Sequence, residues 1–414
     1  MIVNKLKYLC SNNCYDCIDL NTLYSRKDAI KDILDLIAFS KVDFTIFISK
    51  DNTLYIGFNK HKKIKRTKAI PTFYCSKFNH KNKIEKYQTD ITFVLSSNKL
   101  CIFKQSKKDL DFYFNTNNKQ QSDNCLYSIS SNNYIHPSYK DFCKQIEKLK
   151  TLFKQNFVNK FVLNRSVEIK QVTKINIKGL LKKILYEYLI SNSPKNHFLF
   201  VRSFKKLDHA FISFSPETLL RIQENTLYTE ALAGSSEKDN TQILKQNKNK
   251  CENAIVQESI LSVLQKFGYE TRIGDTEIIH LPYISHLKTP IQCNISTGVK
   301  LKKIIKHLHP TPATLGHPKK NSLQLLKEMD IPKRNFFAGI AGVETENNTD
   351  IIVLLRSAYL QQKSIILYAG AGIMPDSDPQ IEWSEIALKM TPIIEHCFNK
   401  DCIEMTKEYI KTHE

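Results

Sequence analysis

The segment 364–389 constrains the fold of this chain more than any other stretch of its sequence. It opens on the apolar run 364–368, whose composition is typical of a buried strand. Gly370 and Gly372 follow, and these glycines predict a turn in which backbone N–H groups can approach an anion closely. The acidic residues after this turn recur with a helical period. The order strand, glycine turn and helix indicates a mixed α and β protein.

Two carboxylates are expected on one face of that helix. Glu382, Glu385 and Lys389 recur at three and four residues, so their side chains share a face. Neighbouring carboxylates repel one another unless a cation lies between them, and Mg²⁺ prefers oxygen ligands while it keeps water and substrate oxygens. The alternative is a solvated acidic face with an ordinary Glu–Lys pair. Other segments have to decide between the two interpretations.

The composition predicts a soluble globular protein with a sizeable core. The chain has 414 residues, 42% of them hydrophobic, which suits one large domain or two or three of average size. No apolar run approaches the ~20 residues that span a bilayer, and residues 1–10 lack the apolar core of a signal peptide. We therefore expect a cytoplasmic protein with no membrane association.

The charge of the chain does not predict nucleic-acid binding. The formal net charge is +20, and residues 61–66 form a basic run. Lys outnumbers Arg several-fold and Asn is abundant, so the positive charge is spread along the chain and forms no stripe that would grip phosphates. A dispersed positive field can still help to attract an anionic metabolite. We expect no nucleic acid and no obligate protein partner.

The cysteines leave a further alternative open. The chain has 11 scattered cysteines, and an odd number without an export signal favours reduced thiols over a disulfide framework. Cys10, Cys14 and Cys17 have the C-x3-C-x2-C spacing with which radical S-adenosylmethionine enzymes bind a [4Fe–4S] cluster. That family usually has an aromatic residue before the third cysteine, and Asp16 stands there in this chain. An iron–sulfur protein is therefore the more remote alternative.

The sequence changes character near residue 138. Residues 1–135 combine short β-rich runs with polar loops and carry no chemical motif, so we interpret them as an N-terminal part of the scaffold. Pro137 and Ser138 predict the start of a helix. Strand and helix patterns then alternate, which indicates one mixed α and β unit.

The second region carries short motifs in a fixed order. They lie at residues 160–165, 214–217, 229–235, 251–256, 286–289, 308–313, 337–339 and 356, before the glycine and acidic segment. In this order they resemble the chorismate-utilising enzymes: isochorismate synthase, salicylate synthase, anthranilate synthase component I and aminodeoxychorismate synthase component I. The resemblance covers residues 138–395 and lies closest to isochorismate synthase. It makes these residues the catalytic region and leaves residues 396–414 as a C-terminal tail. It implies an α+β fold, a single large chorismate-binding-enzyme domain with extended antiparallel β-sheets flanked by helices.

The resemblance also implies a magnesium site. Chorismate is a dicarboxylate whose C4 hydroxyl leaves as a nucleophile arrives at C2, so an enzyme must hold two carboxylates, protonate the leaving group and activate the nucleophile. In the family, Mg²⁺ holds the ring carboxylate. By resemblance, Glu252 and Glu385 are its direct ligands and Glu382 supports it through bound water. Glu252 could otherwise be an acid at a helix N-terminus.

Further residues are implied to contact the substrate. By resemblance, Arg356 meets the enolpyruvyl carboxylate together with N–H groups near Gly372. His286 and Lys389 would line the site as polarising and charge-balancing groups, although a lone histidine is more often structural. The other substrate-binding residues that the resemblance implies are Gly234, Ser235, Thr289, Ala313 and Gly370.

Two residues are expected to transfer protons. The resemblance makes Glu217 the general acid, while Glu230 is a rival on sequence alone. Lys160 stands where water-using members have a lysine general base and anthranilate synthases have a glutamine. A lysine in a closed, partly apolar site can have its pKa lowered enough to accept a proton from water, which glutamine cannot do. Water is therefore the predicted nucleophile.

Ala233 and Ala313 are the positions that distinguish the reactions of this family. Ala233 stands where aminodeoxychorismate synthases have a lysine that attacks the ring, so that route lacks its nucleophile. Ala313 stands where salicylate synthases have a threonine associated with elimination of pyruvate. The resemblance thus implies a Mg²⁺-dependent isochorismate synthase, an isomerase whose product feeds menaquinone or siderophore synthesis. Salicylate synthase and anthranilate synthase component I are the alternatives, and Phe337 departs from the tyrosine that the family has at its position.

Overall fold

Two antiparallel β-sheets with helices packed against them make up the described part of the chain, which is a computed structural model. The structure describes residues 15–20, 25–60, 70–78, 83–106, 110–114, 133–191, 196–204, 208–238, 240–296 and 300–412. The basic run at 61–66 and two of the clustered cysteines, Cys10 and Cys14, lie outside these residues.

The larger sheet contains 12 strands within the described ranges. In spatial order they are β1 (Tyr15–Asp19), β7 (Lys99–Lys104), β6 (Thr89–Leu95), β3 (Leu54–Lys60), β2 (Phe44–Ile48), β10 (Phe198–Phe204), β11 (His209–Ser215), β20 (Ser357–Gln361), β21 (Ser364–Ile373), β9 (Lys160–Lys170) and β17 (Gly316–His317), with β8 (Tyr134–His136) also paired to β9.

The smaller sheet has 9 strands in the part of the chain that the structure describes. Their order is β14 (Thr271–Ile273), β16 (Ile284–Asn294), β13 (Thr226–Glu237), β12 (Thr218–Gln223), β19 (Asn348–Val353), β18 (Ile340–Glu344), β4 (Thr72–Ser76) and β5 (Glu85–Tyr87), with β15 (Glu277–His280) also paired to β16. Because β2 pairs with β10 and β4 pairs with β18, strands from before residue 138 lie in both sheets.

Helices pack against the sheets and against one another. They are α1 (Arg26–Phe39), α2 (Leu110–Tyr113), α3 (Tyr139–Lys154), α4 (Ile177–Ile190), α5 (Asn247–Lys266), α6 (Leu301–Leu308), α7 (Lys319–Glu328), α8 (Pro379–Cys397) and α9 (Lys400–Tyr409), with a 3₁₀ turn at Thr241–Lys245. In the main core α1 contacts α4, α3 contacts α8, and α8 lies along β21. None of the helices described here is both long and apolar enough to cross a membrane.

The helix starts that the sequence predicts are present. Ser138 caps α3, because its hydroxyl accepts a hydrogen bond from the Asp141 N–H at 3.2 Å. At α8, Pro379 occupies the first turn, and Asp378 accepts hydrogen bonds from the N–H groups of Gln380 (2.9 Å) and Ile381 (3.0 Å). These caps fix where each helix begins, and the cap of α8 sets the position of the acidic face that follows.

The predicted glycine turn is wrong, because Gly370 and Gly372 lie inside β21. They pair with Asn164 and Val162 of β9, and the strand runs on to Ile373. An added Cβ at Gly370 would lie 2.7 Å from the carbonyl oxygen of Leu163. One at Gly372 would collide with the Glu252 carboxylate. The glycines are needed for close packing within a strand, and the loop before α8 begins only after them.

A disulfide bond overturns part of the cysteine prediction. Cys17 of β1 is bonded to Cys101 of β7, directly opposite in the strand register with a Cα–Cα separation of 4.1 Å. The number of cysteines could not reveal this contact, since it depends on which strands are neighbours. A bonded Cys17 offers no thiolate to iron, so the spacing with Cys10 and Cys14 loses its third ligand.

Candidate active site

One cavity of about 680 Å³ brings together most of the residues that the sequence singled out. It is lined by strands of both sheets, by α5 and α8, and by the loops that precede β12, β17, β18 and β20. The predicted site residues in its wall are Glu217, Gly234, Ser235, Glu252, His286, Ala313, Arg356, Gly370, Gly372 and Lys389.

The rest of the wall is mostly apolar. Ala233 and Phe337 both line the cavity. Ala233 stands where one branch of the family has a nucleophilic lysine, and Phe337 stands where the family has a tyrosine. The residues that sequence reasoning missed are Val162, Pro216, Leu232, Thr314, Ala338, Leu355 and Ala369. Most of them carry no chemical group that a motif search would notice. The sequence signal for four of them was position alone: Val162, Pro216, Leu232 and Ala338 lie inside the motifs at 160–165, 214–217, 229–235 and 337–339.

Glu217 is a buried carboxyl group poised to donate a proton. It lies between β11 and β12 with 3% of its surface exposed. Burial raises the pKa of Glu217 to about 8 with help from the charge of Glu230, while Lys160, the Thr311 hydroxyl and Lys389 oppose this rise. The group is therefore largely protonated at neutral pH, as a general acid requires.

Glu230, the rival acid, lines a different cavity. Its Oε1 accepts a hydrogen bond from the Thr218 N–H at 2.8 Å, and its carboxylate lies 3.9 Å from the Lys50 ammonium and 4.0 Å from that of Lys288. That second cavity is lined by these two lysines and by Arg221, among others. The structure thus separates the two glutamates, and Glu217 is the one that faces the candidate site.

Lys160 is the first residue of β9 and is completely buried. Its Nζ lies 2.8 Å from Oε1 of Glu252, yet it makes no directed hydrogen bond to any atom among the described residues. A buried ammonium with open hydrogen-bonding positions is unusual in a structural role. Its position beside a cavity carboxylate fits a group that exchanges a proton with a bound molecule.

Arg356 and His286 form a fixed pair in the cavity wall. Nη2 of Arg356 donates a hydrogen bond to Nε2 of His286 at 3.0 Å, while Nδ1 of His286 faces Oγ of Ser235 (3.1 Å) and the Gly234 carbonyl (3.3 Å). Since Nε2 accepts, the ring is neutral with its proton on Nδ1. Burial, and then the charges of Arg356 and Lys389, hold the pKa of His286 well below its usual value. His286 therefore orients the guanidinium and carries no charge of its own.

Arg356 also adopts a strained backbone conformation. Its φ is +46°, in the left-handed region that a long side chain rarely occupies. Burial lowers its pKa to about 10, so the guanidinium remains a cation at neutral pH. Such strain is retained where the surrounding structure holds a functional group in place, and here it aims a cation into the cavity.

The acidic face of α8 is held by lysines. Glu385 lies 2.6 Å from Lys389, whose Nζ also donates to the Gly370 carbonyl at 3.0 Å. Burial raises the pKa of Glu385, but Lys389, Lys248 and the Ser235 hydroxyl together outweigh burial, so the net shift is downward. Glu382 accepts hydrogen bonds from Lys248 and from the Ser377 hydroxyl. Burial and the charge of Glu385 nevertheless raise the pKa of Glu382 to about 7.

The donor set suits a hard cation, although its oxygens are engaged by lysines. Glu252 and Glu385 lie at or beside the cavity, and Glu382 lies one turn before Glu385 on α8. Carboxylate oxygens are the ligands that Mg²⁺ prefers. Within the described ranges, no three acidic, histidine or cysteine side chains form a ready-made metal cluster. A cation at this site would therefore have to compete with the lysine ammonium groups.

Thr289 does not line the cavity, contrary to its predicted role in substrate binding. It is buried in β16, where its hydroxyl donates to Oδ1 of Asn253 at 2.8 Å and lies 2.8 Å from the Thr276 hydroxyl. The Asn253 amide in turn donates to carbonyl groups of β13 and β16. Thr289 thus helps to fasten α5, which carries Glu252, to the smaller sheet.

Fold and site therefore define an α+β protein with a cavity whose wall contains the carboxyl groups of Glu217 and Glu252 and the cationic side chains of Arg356 and Lys389. The family described as chorismate binding enzyme matches residues 50–397. The chain belongs to the chorismate-binding enzymes.

Similar proteins are known from several bacteria. "Isochorismate synthase MenF" of Pasteurella multocida is 31% identical over 267 residues, which cover 61% of this chain and 60% of that protein. "Isochorismate synthase EntC" of Escherichia coli strain K12 is 27% identical over 269 residues, covering 62% and 67%. The chain spans between 51% and 60% of the length of the first three curated relatives that it matches.

Solved structures confirm the predicted fold. MenF, the menaquinone-specific isochorismate synthase from Escherichia coli, superposes with a TM-score of 0.76 at 19% identity, over 99% of both chains. Anthranilate synthase component I from Streptococcus pneumoniae superposes with a TM-score of 0.60 at 14% identity, over 92% of both chains. At these identities the likeness establishes the α+β fold alone.

Proposed function

We propose that this protein is a cytoplasmic, Mg²⁺-dependent isochorismate synthase that converts chorismate to isochorismate. The observation that carries the proposal is the environment of Glu217, a carboxyl group kept protonated at neutral pH in the wall of a cavity that also contains cations. Arg356 and Lys389 supply positive charge for a dicarboxylate substrate. A protonated acid beside anion-binding groups is what the loss of a ring hydroxyl requires.

Two proton transfers account for the reaction. Glu217 donates its proton to the C4 hydroxyl, which leaves as water, and Lys160 accepts a proton from the water that attacks C2. The substrate thereby exchanges one hydroxyl for another, and atoms and charges balance. The buried Nζ of Lys160, which lacks a hydrogen-bond partner among the described residues, supports its role as the base. Nζ of Lys160 also forms an ion pair with Oε1 of Glu252 at 2.8 Å.

The metal-binding residues follow from the carboxylates at the cavity. We propose Glu252 and Glu385 as direct ligands of Mg²⁺, with Glu382 acting through bound water. The ion would hold a substrate carboxylate and neutralise the glutamates that otherwise stabilise the lysine ammonium groups. Gly234, Ser235, His286, Gly370 and Gly372 would complete the substrate-binding wall, as their positions in the cavity support.

The cavity offers no free hydroxyl at the position that would favour salicylate. Ala313 lines the wall, and the neighbouring Thr314 donates its hydroxyl to the Thr311 carbonyl at 3.2 Å. Ala233 likewise provides no amine that could attack the ring. Isochorismate should therefore be released intact. Similar proteins are named for menaquinone and vibriobactin, which supports menaquinone or siderophore synthesis as the use of the product.

Product analysis tests the proposal directly. Purified protein, chorismate and Mg²⁺ should give a mixture of chorismate and isochorismate, separated by chromatography with fluorescence detection. Ammonium should yield no anthranilate, since Lys160 replaces the glutamine of that branch. Salicylate formed as fast as isochorismate would assign the protein to the salicylate synthases, and the variant Ala313→Thr should gain pyruvate release if this position controls elimination.

A further inference from the structure

Ion pairs balance the acidic residues of the candidate site. In the described part of the chain the pairs are Lys160–Glu252 (2.8 Å), Lys389–Glu385 (2.6 Å) and Lys248–Glu382. Three negative and three positive charges leave this group formally neutral. A divalent cation that entered without moving any lysine would leave an excess of positive charge in a partly buried place, which is unfavourable.

Lys248 differs from the other two lysines in what surrounds it. It lies in the first turn of α5, and its ammonium interacts with Glu382, Glu385 and Glu252 together. Burial tends to lower the pKa of Lys248, but these three carboxylates outweigh burial and the net shift is upward. No motif singled out this residue, because a lysine at the start of a helix has no distinctive pattern. Its ammonium contacts Glu382 and is attracted by the charges of Glu385 and Glu252, the same carboxylates that the proposed metal ion would bind.

The Lys248 ammonium can also move away from the glutamates. Its side chain is 22% exposed, whereas that of Lys160 is completely buried. Lys389 is tied both to Glu385 and to the Gly370 carbonyl, so it has two partners to lose. A flexible four-carbon stem lets the Lys248 ammonium rotate towards solvent with little cost in packing. Of the three lysines, Lys248 is the most exposed, and Lys389 follows at 17%.

We propose that Lys248 is a built-in counter-cation, which holds Glu382 and balances the glutamates until a divalent cation displaces its ammonium from the cluster. The inference rests on the metal site of the proposed function and extends it to a residue outside the cavity wall. Lys248 is here a positioning residue that sets the affinity for the metal. It does not touch the substrate.

Binding of Mn²⁺, followed by the electron paramagnetic resonance signal of the free ion, tests the displacement without any turnover. Lys248→Met keeps the length of the stem and removes the charge, and Lys250→Met, at an exposed position of the same helix, is the matched control. Lys248→Met should bind Mn²⁺ at least about tenfold more tightly than the wild type, since one repelling charge is gone. Lys250→Met should bind it as the wild type does.

Thermal unfolding in EDTA provides a second readout. Without Lys248 the buried Glu382 carboxylate loses its ion pair, so Lys248→Met should unfold at a lower temperature than the wild type, and Mg²⁺ should raise its Tm more than that of Lys250→Met. If Lys248→Met fails to fold without metal, Lys248→Gln keeps a polar tip for the same titrations.

Equal or weaker Mn²⁺ binding in the Lys248 variants, with normal binding in the wild type, would overturn the displacement and leave the metal site standing. A wild-type protein that binds no Mn²⁺ would contradict the metal site of the proposed function, and the displacement with it.

Discussion

At the scale of single residues, the candidate site contains buried glutamates whose pKa values are shifted in different directions. Burial raises the pKa of Glu217 to about 8 and that of Glu382 to about 7, while Lys389 keeps Glu385 ionised. Neighbouring glutamates can therefore hold different protonation states at one pH. The proposed proton donor and the proposed metal ligands are all glutamates, so their different surroundings must account for their different roles.

The pH dependence of the reaction should depend on Glu230 although this residue lies outside the cavity. Glu217 must be protonated to act, so kcat/KM should fall as the pH rises through about 8. The negative charge of Glu230 helps to raise the pKa of Glu217, and Glu230→Gln should therefore move this decline to lower pH while the enzyme stays active. Glu277→Gln, at an exposed partner of Lys288, is the control. An inactive Glu230→Gln would instead make Glu230 the acid.

Glu217 should also cost the protein stability at alkaline pH. An unfolded glutamate has a pKa near 4.5 and the folded one about 8, so the folded state binds the extra proton between these values. The free energy of unfolding should decrease as the pH rises through this window. Glu217→Gln removes the penalty and should be more stable than the wild type at pH 8 by about 1–4 kcal/mol, with little difference near pH 4.5. Urea unfolding at the two pH values measures this, and equal stability at pH 8 would contradict the pKa assigned to Glu217.

Sequence reasoning found the charged residues of the site but not their arrangement. Glu217, Arg356 and Lys389 could be predicted because each lies in a motif whose residue types serve a recognisable chemistry. The resemblance favoured Glu217 over Glu230, and in the structure Glu217 lines the candidate cavity whereas Glu230 lines another one. Lys248 was missed because its ammonium contacts Glu382, which lies on another helix far away in the sequence.

At the scale of secondary structure, the close contact between β21 and β9 shapes the site. Gly372 lies opposite Val162 in the strand register, and its missing side chain leaves room for the Glu252 carboxylate and for Cε of Lys160. The sequence predicted the strand from its apolar run and the helix from its acidic period. It could not show that the strand continues through the glycines, because a glycine pair is equally typical of a turn and of a tightly packed strand.

Gly372→Ala should therefore impair the site and spare the fold. The added methyl group would lie 2.8 Å from Cε of Lys160 and would collide with the Glu252 carboxylate, so the pair must shift. The backbone of Gly372 is that of a strand, which alanine adopts without strain. We expect kcat to fall by at least about tenfold, as a displacement of about 1 Å can cost more than that, with the urea midpoint of unfolding nearly unchanged. Wild-type kcat in this variant would mean that the ion pair has no part in turnover.

At the scale of the whole molecule, the N-terminal strands complete both sheets. Phe47, Phe73 and Tyr87 belong to one buried cluster with Phe198 and with other residues from beyond position 138. Local sequence patterns could not show this, because pairing between β2 and β10 or between β4 and β18 joins segments that are far apart in the chain. The strands described within the first 135 residues carry no chemical motif, yet they pair and pack with strands from beyond position 138.

A fragment of residues 138–414 should consequently not fold alone. Without β2 and β4, the edges of β10 and β18 are exposed. The aromatic side chains that remain in the shared cluster lose buried contacts, and each lost side chain contributes about 2 kcal/mol of burial free energy. Several such losses are comparable to the 5–15 kcal/mol that stabilises a typical domain. The fragment should give no cooperative thermal transition in circular dichroism and should aggregate in size-exclusion chromatography.

Co-expression with residues 1–137 should restore a folded complex, since the missing strands can pair again without a covalent link. A monomeric, cooperatively folded fragment that still converts chorismate would instead establish residues 138–395 as an independent catalytic domain.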